Sequence, residues 1–129
     1  MNENRKYDLE ERLICFSVDV ITIAESLGKS FTAQYLSKQV IRSGISPSLN
    51  YGEAQAAESR KDFIHKLKVV LKELRETKNC LEIIKRKKYL EYNSVNTIQS
   101  ECKELIAIMM KSIETAKKNL ENENKNKIH

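Results

Sequence analysis

Tryptophan is absent from this chain, proline occurs once and glycine three times in 129 residues. An all-β sandwich or barrel turns about every 8–12 residues and needs turn formers at each corner, so this supply excludes one. Three isolated glycines also cannot build a phosphate-cradling loop. Cysteine is scarce and odd in number: Cys15, Cys80 and Cys102 lie far apart and form no CxxC pair. That argues against a disulfide framework or zinc knuckle and for small buried hydrophobes in a reducing cytosol. The only histidines are His65 and the terminal His129. No His, Cys or carboxylate cluster has metal-ligand spacing, an ExxH motif is missing, and no base stands ready to activate a Ser or Thr nucleophile. These absences predict a protein that is not an enzyme and carries no cofactor or metal.

Long apolar runs are missing too. Leu13 to Leu27 is the most apolar stretch, yet it carries Asp19 and Glu25. It is too short and too charged to cross a bilayer. The start, Met1 to Glu11, is charged with no apolar segment behind it, unlike a secretory signal. The expectation is a cytoplasmic protein with no membrane partner.

What is abundant is helix-forming material: 40% of residues are hydrophobic and 32% charged, arranged in long patterned stretches. Four such stretches predict helices at about 9–27, 32–57, 60–87 and 94–120. In the first, Leu9, Leu13, Phe16, Val20, Ile23 and Leu27 alternate spacings of four and three, between an Asp8 cap and the stop Gly28. The second is broken or kinked near Gly44–Pro47, because proline removes a backbone donor and crowds the previous turn. The third is capped by Ser59 and carries Phe63, Leu67, Val70, Leu74, Thr77, Leu81 and Ile84. The fourth, capped by Asn93 or Ser94, carries Val95, Ile98, Cys102, Leu105, Met109, Ala116 and Leu120. Short links between amphipathic rods predict an all-α, antiparallel up-down-up-down four-helix bundle over residues 1–121. Residues 122–129 read as a polar, disordered tail.

Charge is uneven. Residues 1–58 hold six Lys/Arg and eight Asp/Glu, whereas residues 59–129 hold seventeen and ten. Lys61, His65, Lys68, Lys72 and Arg75 share one sector of the third helix, opposite its apolar seam. Lys85, Arg86, Lys87 and Lys88 cluster at its C-terminal end. The bland account is solvation, helped by the helix macrodipole and a Glu82–Arg86 pair. The functional account is a nucleic-acid surface in which these cations track phosphates and Tyr89 or Tyr92 stacks on unpaired bases. Both tyrosines serve equally well as anchors for the loop.

Residues 35–63 carry a denser motif, "YLSKQVIRSGISPSLNYGEAQAAESRKDF". Gln39, Arg42, Ser43, Ser46, Asn50, Glu53, Ser59, Asp62 and Phe63 match a shared pattern, and "LKVVLKELRETKNCLEI" extends it. The chain thereby resembles the four-helix-bundle proteins called 23S rRNA intervening-sequence proteins, small bacterial proteins some of which are encoded within insertions in the large ribosomal RNA gene. Tyr51-Gly52 departs from that pattern, standing where these proteins usually have Ile-Ala or similar. The resemblance implies an antiparallel bundle that forms ring-shaped homo-oligomers, commonly pentamers. A related accessory protein of diversity-generating retroelements works with nucleic acid and a reverse transcriptase. Physically, Arg42, Ser43, Asn50 and Glu53 are polar groups that need partners. Arg42 and Glu53 are expected to bond across the kink or a subunit boundary, locking structure or interface rather than holding a ligand. Two functions compete: an oligomeric protein that binds structured RNA, and a protein-interaction scaffold whose flanking Ile14, Ile21, Ile64 and Leu71 bury in subunit contacts.

Overall fold

A computed structural model describes residues 5–128, which form four helices: α1 (Arg5–Glu25), α2 (Phe31–Gln55), α3 (Arg60–Arg86) and α4 (Tyr92–Ile128). Each packs against its sequence neighbour, α1 also meets α4 more sparingly, and the diagonal pairs are α1/α3 and α2/α4. The short connections make consecutive helices antiparallel.

The apolar seams meet in the middle. Leu13, Phe16, Val20, Leu67, Val70, Leu74, Leu81, Ile84, Val95, Cys102, Leu105 and Met109 are almost wholly shielded from solvent. Each large side chain of this kind contributes roughly 1.5–3 kcal/mol on burial. Ile64 is buried within the bundle as well, and Leu71 packs against the core while staying partly exposed. Ile14 remains 46% exposed.

Local signals set the helix ends. Gly28 has φ +98°, the left-handed conformation that closes α1. Ser30 accepts a hydrogen bond from the Ala33 amide at 3.1 Å, and Ser59 accepts one from the Asp62 amide at 3.0 Å. Two expected caps are corrected. α1 already begins at Arg5, which places Asp8 inside it, and α4 begins at Tyr92, ahead of Asn93 and Ser94.

α2 passes through Gly44 and Pro47 as one unbroken helix. Neighbouring groups support this stretch. The Ser17 hydroxyl of α1 reaches the Gly44 carbonyl at 2.8 Å, and Ser48 donates to the Ile45 carbonyl at 3.1 Å. Gly44 also lets α1 lie close, since a Cβ there would sit 2.5 Å from Val20 Cγ1. At the other end, α4 runs to Ile128, beyond the point where a disordered tail was expected. Its Asn, Lys and Glu residues suit an exposed helix, and Glu123 pairs with Arg60 at the start of α3. Met1–Asn4 and His129 lie outside the described residues.

Candidate nucleic-acid interface

The motif residues of α2 build a polar seam against α3. Ser43 is fully buried and accepts a hydrogen bond from the Thr77 hydroxyl at 2.8 Å. The adjacent Arg42 donates to Glu73, one turn before Thr77, at 2.9 Å and also pairs with Glu76. Asn50 donates to the backbone and side-chain oxygens of Ser46, at 3.0 and 2.9 Å. Glu53 pairs with Lys66 of α3 at 2.6 Å. Within the chain Arg42 and Glu53 do not bond to each other: both residues reach across to α3 and take separate partners. Gln39 lies half-buried on the same helix. Every buried side-chain nitrogen or oxygen among the described residues has a partner. A seam whose buried polar groups are satisfied in this way can align the two helices.

The opposite side of α3 is different. Lys61, His65, Lys68, Lys72, Arg75, Asn79, Ile83 and Arg86 form one exposed line along the helix, with no carboxylate in it. Lys61, Lys68, Lys72 and Arg75 have no ion-pair partner among the described residues, nor do Lys87 and Lys88 just beyond the helix end. Arg75 touches only a weak acceptor, Met110 Sδ, at 3.6 Å. From Lys61 to Arg86 the line extends about 38 Å.

Two of the predicted cations are otherwise engaged. Lys85 donates to Gln99 at 2.6 Å and to Asn96 at 3.3 Å, lies 3.4 Å from Glu82, and is only 14% exposed. Arg86 pairs with Glu82 at 2.7 Å, although its side chain stays 79% exposed. Hydrogen bonds from Gln99, then Arg86 and Lys85, hold the Glu82 carboxyl well below its usual range, at about 2. Sequence spacing anticipated the Glu82–Arg86 pair but not Gln99. That residue sits on α4, and only the α3–α4 packing brings it within 2.8 Å of Glu82.

The two tyrosines of this end separate. Tyr89 is half-buried and packs against the core, whereas Tyr92 is 60% exposed. The buried thiols are unsuited to nucleophilic work. Burial pushes Cys80 up and Cys102 up to about 12, and Cys102 donates to the Leu74 carbonyl at 3.2 Å. Among the described residues no group of three or more His, Cys, Asp or Glu is placed to hold a metal, and no helix is long and apolar enough to cross a membrane.

Residues 5–111 match the family described as 23S rRNA-intervening sequence protein. The chain belongs to that family. The crystal structure of a protein of unknown function from the S23 ribosomal protein family of Bacteroides thetaiotaomicron is similar to it. That protein shares 31% identity with a TM-score of 0.74, over 81% of this chain and 97% of the other. A comparison with curated proteins gives no match. The family match covers the α2–α3 polar seam and the whole basic line of α3, and it stops before the last turns of α4.

Proposed function

We propose that this 23S rRNA-intervening sequence protein is a non-catalytic, cytoplasmic bundle that binds structured RNA through the exposed face of α3 and works as a homo-oligomer. The observation that carries the reading is the line of unpartnered cations from Lys61 to Arg75, continued by Lys87 and Lys88. Cations needed only for solubility are ordinarily interspersed with carboxylates. Here the carboxylates are drawn off to the α2–α3 and α3–α4 seams, and the outer line stays positive. Such a surface neutralises phosphates and releases counterions, so affinity falls steeply with salt and varies little with sequence.

The test is an RNA titration over a range of salt concentrations. With four to six phosphate contacts, the slope of log K against log salt is expected near −3 to −5. Reversing Lys68, Lys72, Lys87 and Lys88 to Glu should flatten that slope and weaken binding without lowering the melting temperature. Unchanged affinity in that variant would remove the surface. A second reading, a protein-interaction scaffold, is favoured by exposed Ile14, Val18, Phe31, Tyr35 and Leu49 on α1 and α2. Self-association through those side chains is compatible with RNA binding on α3.

A further inference from the structure

The connection from α3 to α4 holds a feature that phosphate binding alone leaves unused. Tyr92 is the first residue of α4 and stands 60% exposed, while the nearby Tyr89 and Leu90 pack against the core and fix the loop. The Lys85 ammonium lies over the Tyr92 ring, 5.0 Å from its centroid. Lys85 is itself held by Gln99, Asn96 and Glu82. One face of the ring is therefore backed by a cation fixed in place, and the rest of the ring projects into water. A tyrosine in that position gains little from burial within its own chain. Lys87 and Lys88 precede it by five and four residues, both exposed. Lys88 has φ +58°, in the left-handed region, as the chain turns out of α3.

We infer that Tyr92 is a stacking platform for an unpaired base of the RNA strand whose phosphates lie on Lys87 and Lys88, an inference that rests on the RNA-binding reading above. Inside a duplex each base offers its faces to its neighbours in the stack, so an exposed tyrosine has no free face to meet. A loop, bulge or strand end offers one, and an aromatic ring beside cations is the arrangement that holds it. The bundle then has two kinds of contact. The line along α3 reads backbone charge, and the α3–α4 end selects a place where pairing stops.

The experiment uses the full chain and two fluorescent probes, a short single-stranded oligoribonucleotide of mixed sequence and the same strand annealed to its complement. Affinities are compared for the wild type, Tyr92→Ala, Tyr92→Phe and the four-lysine reversal. Tyr92→Ala is expected to weaken single-strand binding about 5- to 150-fold, the range for loss of one base–aromatic stack. Duplex binding and the salt slope should stay as they were, and Tyr92→Phe should behave as wild type. Wild-type single-strand affinity in Tyr92→Ala, or an equal loss on both probes, overturns the platform. If the four-lysine reversal still weakens binding in that case, the phosphate-binding face stands without it. If the reversal binds both probes as well as wild type does, the RNA reading falls and the platform with it.

Discussion

At the scale of single residues, two glycines of α2 make opposite predictions. A methyl at Gly44 would press into Val20 of α1 at 2.5 Å. Val20 is itself fully buried and has nowhere to move. Gly44→Ala should therefore cost about 1–3 kcal/mol as overpacking. At Gly52 a Cβ would meet nothing within 4 Å. There the usual helix penalty of glycine is relieved, and Gly52→Ala should gain about 0.5–1 kcal/mol. Thermal melts of the two variants check the pair. Two shifts of the same sign would contradict the packing described. The contrast also settles the departure from the family pattern at Tyr51-Gly52: Tyr51 is buried in the core, and Gly52 beside it has open space.

At the scale of elements, α3 and α4 are tied by a polar cluster whose strength depends on pH. Glu82 is held at about 2 by Gln99, Arg86 and Lys85, against an ordinary 4.5. A carboxyl depressed in the folded state is protonated more readily in the unfolded chain. Its contribution to stability is then complete above about 4.5 and is lost as pH falls towards about 2. Glu82→Gln should melt below wild type near neutral pH, and the gap should close on acidification through that window. A gap independent of pH would mean that the carboxylate charge is not what ties the two helices. Sequence made the rods legible because seams such as Leu67, Val70, Leu74, Leu81 and Ile84 repeat with helical spacing, a purely local property. It was a poorer guide where partners come from another helix. Pro47 marks a weak point in the single helix expected there, and only the structure shows the Ser17 hydroxyl of α1 bonding the Gly44 carbonyl beside it. Lys85 counts as a free cation by position, and only the approach of Gln99 and Asn96 shows it engaged. The exposed members of the α3 line could be read from helical periodicity, since their placement needs no knowledge of α1, α2 or α4.

At the scale of the whole molecule, the surfaces proposed for RNA and for self-association are separated by the topology. α1 lies diagonal to α3. The Ser17 contacts with Gly44 and Ser48 set the antiparallel α1–α2 register and bring Ile14 level with Leu49 and Val18 level with Ile45. Ile14, Val18 and Leu49 are 46%, 55% and 61% exposed, an apolar strip on the α1–α2 side of the bundle. On the proposed reading, copies joined there would leave each α3 line accessible, and one RNA long enough to reach two subunits would be held at two points. Linking two modest contacts in this way can raise overall affinity about 10²- to 10⁴-fold without any new contact. The double variant Ile14→Glu/Leu49→Glu should sediment as a monomer with wild-type helicity, because both side chains are largely outside the core. Its affinity for a short oligonucleotide that spans one subunit should be unchanged, while its affinity for a long structured RNA should fall by at least tenfold. Equal losses on the short and long probes would show that the substitutions damage the α3 face itself. An unchanged assembly would show that copies of the chain meet through some other surface.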